Sequence, residues 1–429
     1  MTKEKFTFVD LFSGIGGFHQ SLRKIGGECV MASEIDDNCI NVYNKNFPKT
    51  PIIKDIRDNW EKLPKFDMLC GGFPCQPFSK AGKQDGFNDK SRGDLFSVII
   101  KILNNHPECK FIILENVRNL SDKTENWDII QKSLGKLNFY VTEKPLILSP
   151  NQFGVPQMRE RVYILGIRKD IRDIKKLTNG FIHLEELGLQ EIQSVYNSKF
   201  TIKDIEKVLE KQIDDKYYLS WEKKQILDIW EEFRKGTNFA HSSCPIWLDY
   251  MGINLNDNEY ENTYFYQRNE NVKKRIVELP EWKRKIVLKN RQFYLSNKRF
   301  IDEWVDKYNM LDKISTYKKF EWYCGEKYKS LKEVIIQFRH SGIRTKKPIF
   351  FPTLVAINNT PIIWDNFIEK YRYITPREAA NLQSFDKNFI FSNIDSVTYR
   401  QLGNAVNVKI IKFLAKKLLN FALEDWKEK

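Results

Sequence analysis

The segment from Phe6 to Gly17 decides the fold: Phe-Thr-Phe-Val-Asp-Leu-Phe-Ser-Gly-Ile-Gly-Gly. Its first half is rich in strand-forming residues and predicts a buried strand, and a helical pattern follows from Phe18 to Ile25. Glycines between the two elements let the backbone turn tightly and approach a ligand. Strand, glycine turn and helix in this order predict an α/β fold that holds ligands at the carboxyl ends of its strands.

The next predicted strand, Cys29 to Ser33, ends in an acidic residue at an informative distance. Glu34 lies 20 positions after Gly14 (34 − 14), a spacing typical of an acid that binds the ribose hydroxyls of a nucleotide-like cofactor. The glycines do not match GxGxxG, which weakens the hypothesis of a nicotinamide cofactor. A further predicted strand end carries Asp55.

A candidate nucleophile lies in the segment Gly71-Gly-Phe-Pro-Cys-Gln-Pro-Phe-Ser79, which follows the predicted strand Phe66–Leu69. Prolines on both sides restrict the backbone around Cys75. A cysteine at the carboxyl end of a strand can attack a substrate once its thiolate forms. For this turn taken alone, a buried cysteine that only packs is the alternative.

Two later segments carry further candidates for chemistry. Glu115 ends the predicted strand from Lys110 and is a candidate general acid, although such a residue can also cap a helix. Arg159 and Arg161 open another predicted strand, and alternation places them on one face. Two guanidinium groups on one face suit a phosphate or a base edge, or else an ordinary ion pair.

The bulk composition favours a polyanionic partner. The chain has 429 residues, a formal net charge of +14 and a pI near 9.2, which suit nucleic acid, although surface lysines that only aid solubility are the other explanation. Seven cysteines form no CxxC pair and no zinc spacing, so we expect a reducing, cytoplasmic location and no metal. No signal region and no membrane-spanning run are present, so we expect no membrane partner.

Basic and aromatic residues interleave from residue 170 to about residue 350, which suits a nucleic-acid surface or, alternatively, solvated amphipathic helices. Within this region the segment Arg339 to Arg344 predicts a compact basic turn that reaches a duplex, unless its arginines brace a domain hinge. From Tyr399 to about Leu423 the pattern predicts a last amphipathic helix.

Six segments in order resemble the motifs of DNA (cytosine-5) methyltransferases of the bacterial restriction-modification type: DLFSGIGGF, GGFPCQPFS, LENV, QMRERV, TPREAANLQSF and RQLGNAVNV. The matches cover roughly residues 5 to 168 and 371 to 420. The resemblance implies a Rossmann-like sheet with helices on both faces and a smaller mixed target-recognition domain. It implies a catalytic domain in two parts, residues 1–169 and 371–429, around target-recognition residues 170–370.

The resemblance also implies a reaction. A methyl group passes from S-adenosylmethionine to C5 of a cytosine flipped out of double-stranded DNA, and the Cys75 thiolate adds to C6 on the way. Glu115 would hold and protonate N3, and Arg161, with Arg159 behind it, would bind O2. We expect a monomer, with a restriction endonuclease of the same site as a possible partner.

Binding residues follow from the same resemblance. Phe12 would stack on the adenine and Glu34 would bind the ribose. The wider cofactor set comprises Ser13, Gly14, Gly16, Gly17, Ile35, Asp55, Ile56, Pro74, Leu95, Asn404 and Ala405. Asp55 and Ile56 would flank the adenine, and Ile35 stands where relatives often carry an aromatic residue. The DNA contacts would come from Gln76, Ser79, Arg92, Arg339 and Arg344.

Three other functions compete with this hypothesis. An RNA cytosine-5 methyltransferase of the tRNA type would share these motifs, but its middle is much shorter than the basic region of roughly 200 residues here. A catalytically silent DNA-binding protein would not need Cys75, Glu115 and Arg161 intact. A redox enzyme could use Cys70 and Cys75, but their spacing is not a redox motif.

Overall fold

The computed structural model describes residues 5–74, 94–171, 181–189, 192, 202–237, 245–253, 255, 279–354 and 359–422. The predicted site residues Cys75, Gln76, Ser79 and Arg92 lie outside the described residues. The chain divides into two compact units. The first comprises Met1–Phe200, Thr353–Ile357 and Pro376–Lys429, and the second comprises Thr201–Pro352 and Asn358–Thr375.

The first unit is built on a mixed sheet with the strand order β3-β2-β1-β4-β5-β8-β6-β9, in which β7 pairs with β8. Strands β1 to β5 run parallel, whereas β8 is antiparallel to β5, β6 and β7. The strands are β1 (Phe6–Leu11), β2 (Gly27–Ser33), β3 (Ile52–Ile53), β4 (Met68–Gly72), β5 (Phe111–Val117), β6 (Phe139–Thr142), β7 (Leu146–Leu148), β8 (Arg161–Arg168) and β9 (Phe181–Ile182).

Helices cover both faces of this sheet, which confirms the predicted fold class. Its helices are α1 (Gly17–Arg23), α2 (Asp37–Asn46), α3 (Ile56–Asn59), α4 (Asp94–Asn105), α5 (Asn119–Asp122) and α6 (Thr124–Lys136), and after the second unit α11 (Pro376–Leu382), α12 (Asp395–Asn404) and α13 (Val408–Ala422). Alternation along β1 explains the two layers: Phe6 and Phe8 pack with α1 and α13, whereas Val9 and Leu11 pack with α3, α4 and α6.

The predicted last helix is wrong in one respect, because the structure has two helices there. Ala405 leaves helical geometry (φ −69°, ψ 149°) at the end of α12. The Asn407 side chain then accepts hydrogen bonds from Lys409 N at 3.1 Å and Ile410 N at 3.2 Å, which caps α13. The break brings Val406 against Gly17 of α1, so the end of the chain returns to the glycine turn.

The first unit continues beyond the predicted boundary at residue 169. Strand β9 pairs with β6, and Leu187 and Leu189 are buried in the core that α1 and α13 share. Burial of these two leucines explains why residues 181–189 belong to the first unit. The second unit ends at Thr375, a few residues after the predicted position 370, because strand β15 forms the edge of its sheet.

The second unit has a sheet and a core of its own. Its sheet order is β10-β11-β13-β12-β14-β15. The elements are β10 (Ile246–Trp247), β11 (Lys319–Tyr323), β12 (Ile335–Arg339), β13 (Gly342–Lys346), β14 (Ile362–Asp365) and β15 (Lys370–Tyr373), with α7 (Ile202–Glu206), α8 (Trp221–Gly236), α9 (Glu281–Ser296) and α10 (Lys298–Tyr308). Trp230 of α8 stacks on Phe320 of β11 with ring centroids 4.9 Å apart. No helix in the described part of the chain is long and apolar enough to cross a membrane.

Candidate active site

The carboxyl ends of four parallel strands meet at one edge of the large sheet. Leu11 is in register with both Ser33 and Gly71, and Gly72 is in register with Glu115. The residues that follow these strand ends are therefore neighbours, as expected for ligand sites in open α/β sheets. Phe12 and Glu34 stand on one side of this edge and Glu115 on the other.

The glycine turn after β1 holds an uncommon backbone conformation. Phe12 has φ of 54°, a left-handed conformation that residues with a side chain rarely adopt. Ser13 N donates to Ser33 O at 2.9 Å, which ties the turn to the end of β2. The Ser13 hydroxyl is buried and has no hydrogen-bond partner among the described residues. Backbone strain and an unpartnered buried hydroxyl are features that a bound polar ligand would explain.

Glu34 is fixed by the backbone around it. Its Oε2 accepts a hydrogen bond from Gly14 N at 2.8 Å, and its Oε1 accepts from Ile35 N at 2.9 Å and Asp36 N at 2.8 Å. A carboxylate offers about four acceptor positions, so one remains for a hydroxyl donor. Ile35 beside it is 67% exposed. These residues fit a nucleoside with a ribose diol.

Asp55 and Ile56 fit the predicted adenine contact less well. The Asp55 carboxylate caps α3 through Arg57 N and pairs with the Arg57 guanidinium at 2.6 Å, and these hydrogen bonds lower the pKa of Asp55. Ile56 is 2% exposed and packs in the core with α4 and α6. Its side chain therefore offers no open surface to an adenine.

The remaining predicted cofactor residues lie around the same edge. Gly16 precedes α1 with φ of 91°, and Gly17 begins that helix. A Cβ on Gly17 would lie 2.7 Å from Val406 Cγ2 and 3.2 Å from Val406 O. Asn404, which is exposed, and the half-buried Ala405 directly precede this contact. The half-buried Leu95 lies in the first turn of α4, after the residues that the structure leaves out.

A buried ion pair lies at the other side of the edge. Arg161 Nε is 2.9 Å from Glu115 Oε1, and the two side chains are only 15% and 10% exposed. A Cβ on Gly72 would lie 3.4 Å from Glu115 Oε2. The segment that leads to Cys75 therefore starts beside the Glu115 carboxylate. Asn116 Nδ2 donates to Phe73 O at 3.3 Å and holds the start of that segment, of which the half-buried Pro74 is the last described residue.

The environment of Glu115 suits a general acid. Burial raises the pKa of this carboxyl, and the nearby Arg161 and Arg159 only partly oppose that effect. A raised pKa keeps the proton available closer to neutral pH. A cavity of about 470 Å³ opens beside the pair and is lined by Val117, Arg118, Asn119, Asp122, Glu160, Arg161 and Thr353.

The shared face of Arg159 and Arg161 stays a prediction, and the Arg159 guanidinium binds backbone carbonyl oxygens. Its Nη1 donates to Leu354 O at 2.8 Å, and its Nη2 donates to Gly403 O at 2.9 Å and Ala405 O at 3.1 Å. Arg159 is 3% exposed. Arg159 therefore joins Leu354, in the short part of the first unit between the two parts of the second, and the end of α12 to the segment before β8. Arg161 pairs with Glu115.

Arg339 and Arg344 lie in a β-hairpin of the second unit. They belong to β12 and β13, which pair antiparallel. Both donate to Oε2 of Glu321 on β11, Arg339 through Nη2 at 2.7 Å and Arg344 through Nε at 2.6 Å. The structure therefore brings the two predicted arginines together on one carboxylate.

Sequence reasoning missed several residues that position the site. Asn116 could have been found, since it directly follows Glu115 in the same strand-end motif. Val406 and Glu321 carry no local signal, because their partners are separated from them by many residues in the chain.

Comparisons with known proteins agree with this arrangement. Residues 6–420 match the family described as C-5 cytosine-specific DNA methylase. The chain is 30% identical to the type II methyltransferase M.AluI of Cellulosimicrobium cellulans, over 96% of this chain and 92% of that protein. It is 32% identical to M.BanI of Aneurinibacillus aneurinilyticus, over 96% of each.

Solved structures show the same fold. The S. pombe Dnmt2 methyltransferase aligns with a TM-score of 0.55 at 17% identity, over 97% of this chain and 99% of that one. A putative DNA modification methyltransferase encoded within a prophage (E. coli) aligns with a TM-score of 0.53 at 21% identity, with the same coverage. At these identities the likeness supports the fold and nothing beyond it.

Proposed function

The chain belongs to the C-5 cytosine-specific DNA methylases and is a DNA cytosine-5 methyltransferase, and from that premise we propose which residues act and on what DNA. The observation that carries the proposal is the buried Glu115–Arg161 pair, 2.9 Å apart, beside the strand end that leads to Cys75. An acid and a cation thus lie at one edge of the sheet, where the segment that leads to the candidate nucleophile begins. This is the set of groups that activation of a cytosine ring requires.

The chemistry at the base rests on three side chains. The Cys75 thiolate forms a bond to C6 of the cytosine, and the electron pair of the C5–C6 double bond moves toward N3. Glu115 donates its proton to N3, and Arg161 stabilises the charge at O2, so that C5 becomes enamine-like. Once the methyl group has passed to C5, a base would remove the C5 proton, N3 would return its proton to Glu115, and the C6–sulfur bond would break to release the thiolate. Duplex stacking blocks C6, so the base must first be flipped out.

The cofactor of the proposal is S-adenosylmethionine, which supplies an electrophilic methyl group when it is bound. Glu34 would accept a hydrogen bond from the ribose through its remaining acceptor position. The buried Ser13 hydroxyl, which has no partner among the described residues, would gain one. Phe12 and the exposed Ile35 would pack against the adenine, and Asn404 with Ala405 would line the methionine side.

Gly17→Ala should weaken cofactor binding. The new methyl group would strike Val406 and push away the segment that follows Asn404 and Ala405. We expect a loss of about 1–3 kcal/mol in the free energy of unfolding and weaker binding of S-adenosylhomocysteine by calorimetry. Gly135→Ala in α6 is the matched control, because a Cβ there meets nothing within 4 Å. The control should keep full affinity; equal affinity in both variants would contradict the role of this contact.

We further propose that the second unit reads the DNA sequence and that Arg339 and Arg344 contact the duplex. Their two guanidinium groups lie on one hairpin of a unit rich in basic and aromatic residues. Gln76, Ser79 and Arg92 would contact DNA from the segment after Cys75. The enzyme would act as a monomer in the cytoplasm. It would protect host DNA against an endonuclease of the same site, as the type II relatives suggest.

Bisulfite sequencing tests this function directly. Genomic DNA from cells that express the chain should carry 5-methylcytosine at one short recurring sequence. Cytosines elsewhere in that DNA should be unmethylated. Purified protein should reproduce the pattern only when S-adenosylmethionine is added. Total tRNA incubated in parallel should gain no methyl groups. Methylated tRNA with unmethylated duplex DNA would overturn the choice of substrate.

A further inference from the structure

A cluster of charged side chains surrounds Glu321 on one face of the second sheet. Its members, the Glu321 cluster, are Lys319, Glu321, Arg339, Arg344 and Lys346. The strand register explains their proximity, because Glu321 is the partner of Arg344 across β11 and β13, and Lys319 and Lys346 follow at alternate positions of those strands. Arg339 joins from β12, where it is the partner of Gly342.

The carboxylate at the centre is buried and shared. The Glu321 side chain is 5% exposed, and a single oxygen, Oε2, accepts from Arg339 at 2.7 Å and from Arg344 at 2.6 Å. Lys319 Nζ lies 3.9 Å from the other oxygen. A buried carboxylate is costly unless cations and donors surround it, so these contacts fix Glu321 and both arginines in one arrangement.

The cluster carries more positive charge than its acid can neutralise. Four cations and one carboxylate leave a formal charge of +3 (4 − 1). Burial lowers the pKa of Lys319, Arg339 and Lys346, and the neighbouring arginines lower it further. Arg339 Nε is buried without a hydrogen-bond partner among the described residues. The site therefore holds repelling charges that a polyanion would stabilise.

Arg344 is the member best placed to reach a ligand. Its side chain is 30% exposed, its Nε is bound to Glu321, and its guanidinium carbon lies 5.3 Å from the ring centroid of Tyr323, which is 47% exposed. Its two terminal nitrogens have no hydrogen-bond partner among the described residues. Such a fork matches O6 and N7 of guanine in the major groove. A side chain held on two sides also loses less entropy when it binds.

We propose that Arg344 reads a guanine of the recognition site in duplex DNA and that Glu321 is the positioning residue that fixes its guanidinium. The inference rests on the DNA methylation proposed above and assigns sequence preference to a pair of residues. Glu321 itself touches no base in this arrangement. Its effect on specificity runs through Arg344 and, more weakly, through Arg339.

The test compares Glu321→Gln and Arg344→Lys in the full-length protein. Each variant methylates bacterial genomic DNA in vitro, and bisulfite sequencing then gives the preference at every position around the modified cytosine. Arg344→Lys keeps the positive charge but loses the two terminal nitrogens of the guanidinium. Glu321→Gln keeps the size of the side chain but no longer fixes the Arg344 guanidinium by charge. Both should relax the same position, with discrimination there falling roughly 5- to 100-fold.

A second measurement separates positioning from simple bracing of the fold. Binding of a scrambled 30-base-pair duplex is followed by fluorescence anisotropy from 50 to 300 mM NaCl. Because Glu321→Gln removes a negative charge, it should bind this duplex about two- to fivefold more tightly at low salt while it loses discrimination. If Glu321 only stabilised the fold, its replacement would lower both the affinity for the scrambled duplex and the discrimination between sequences. Glu303→Gln, which breaks an exposed pair with Arg299 in the same unit, removes the same charge and is the control; it should leave the discrimination between sequences unchanged.

Three results would overturn the inference: an unchanged methylation pattern in Arg344→Lys, an unchanged pattern in Glu321→Gln, or relaxation at two different positions. Arg344→Lys with weaker binding to all sequences and intact preference would assign Arg344 to a phosphate, which also contradicts the inference. Lack of any DNA methylation by the wild-type protein would overturn the proposed function and this inference with it. The results named before it, by contrast, would overturn only the roles of Arg344 and Glu321 and would leave DNA cytosine-5 methylation as the function.

Discussion

Cys75→Ser should abolish methyl transfer, with a loss of more than roughly a thousandfold in the single-turnover rate. Serine has the same shape, but at neutral pH its hydroxyl is not ionised and adds poorly to C6 of a cytosine. Cofactor binding should be intact, because the groups that hold the nucleoside, above all Glu34, lie at other strand ends. Rates measured with tritiated S-adenosylmethionine and affinities measured by calorimetry would separate the two effects.

Cys39→Ser is the matched control for this variant. It also leaves six of the seven cysteines (7 − 1). Cys39 is half-buried on α2, and burial raises the pKa of its thiol to about 12, so it supplies no thiolate. This control should keep wild-type turnover. A duplex with 5-fluorocytosine at the modified position should trap a covalent adduct with wild-type protein and none with Cys75→Ser; near wild-type turnover in the serine variant would exclude the mechanism.

Glu115→Gln is expected to have the second largest effect, about 10²- to 10⁴-fold on the methylation rate. The amide can still donate a hydrogen bond to N3 of the base but cannot transfer a proton. Its fold should be little affected, because the neutral amide can accept from Arg161 at the position of Oε1. Glu108→Gln is the control: it lies before β5, at the opposite end of that strand, and its partner is His106.

The pH dependence gives a sharper test of Glu115. Burial raises the pKa of this carboxyl, and the proposed reaction needs its protonated form. The contribution of Glu115 to the methylation rate is therefore complete below the raised pKa and is lost as the pH rises through it. The pH–rate profile of the wild-type protein should then fall on its alkaline side, which we call the alkaline limb. Glu115→Gln should lack that limb. Arg161→Met should move it to higher pH, because Arg161 lowers the pKa of Glu115; an alkaline limb that is the same in all three proteins would assign it to another group.

The sequence by itself determined the elements whose signals are local. The strand, glycine turn and helix from Phe6 onward, with Glu34 after the next strand, predicted the sheet edge at which the structure brings these residues together. Glu115 was placed correctly at the end of an apolar strand for the same reason, since strand length and burial are written in consecutive residues. Cys75 and the predicted residues near it remain predictions, because they lie outside the described residues.

Tertiary structure alone decided the partners that lie far apart in the chain. Alternation along the sequence gives no partner for Arg159, whose guanidinium donates to carbonyl oxygens 195, 244 and 246 positions away. Glu321 has no motif of its own and acquires its role only when β11, β12 and β13 pair. Sequence periodicity reports which face of an element is apolar, whereas the choice of a charged partner depends on which elements pack together, and that is settled by the free energy of the whole fold.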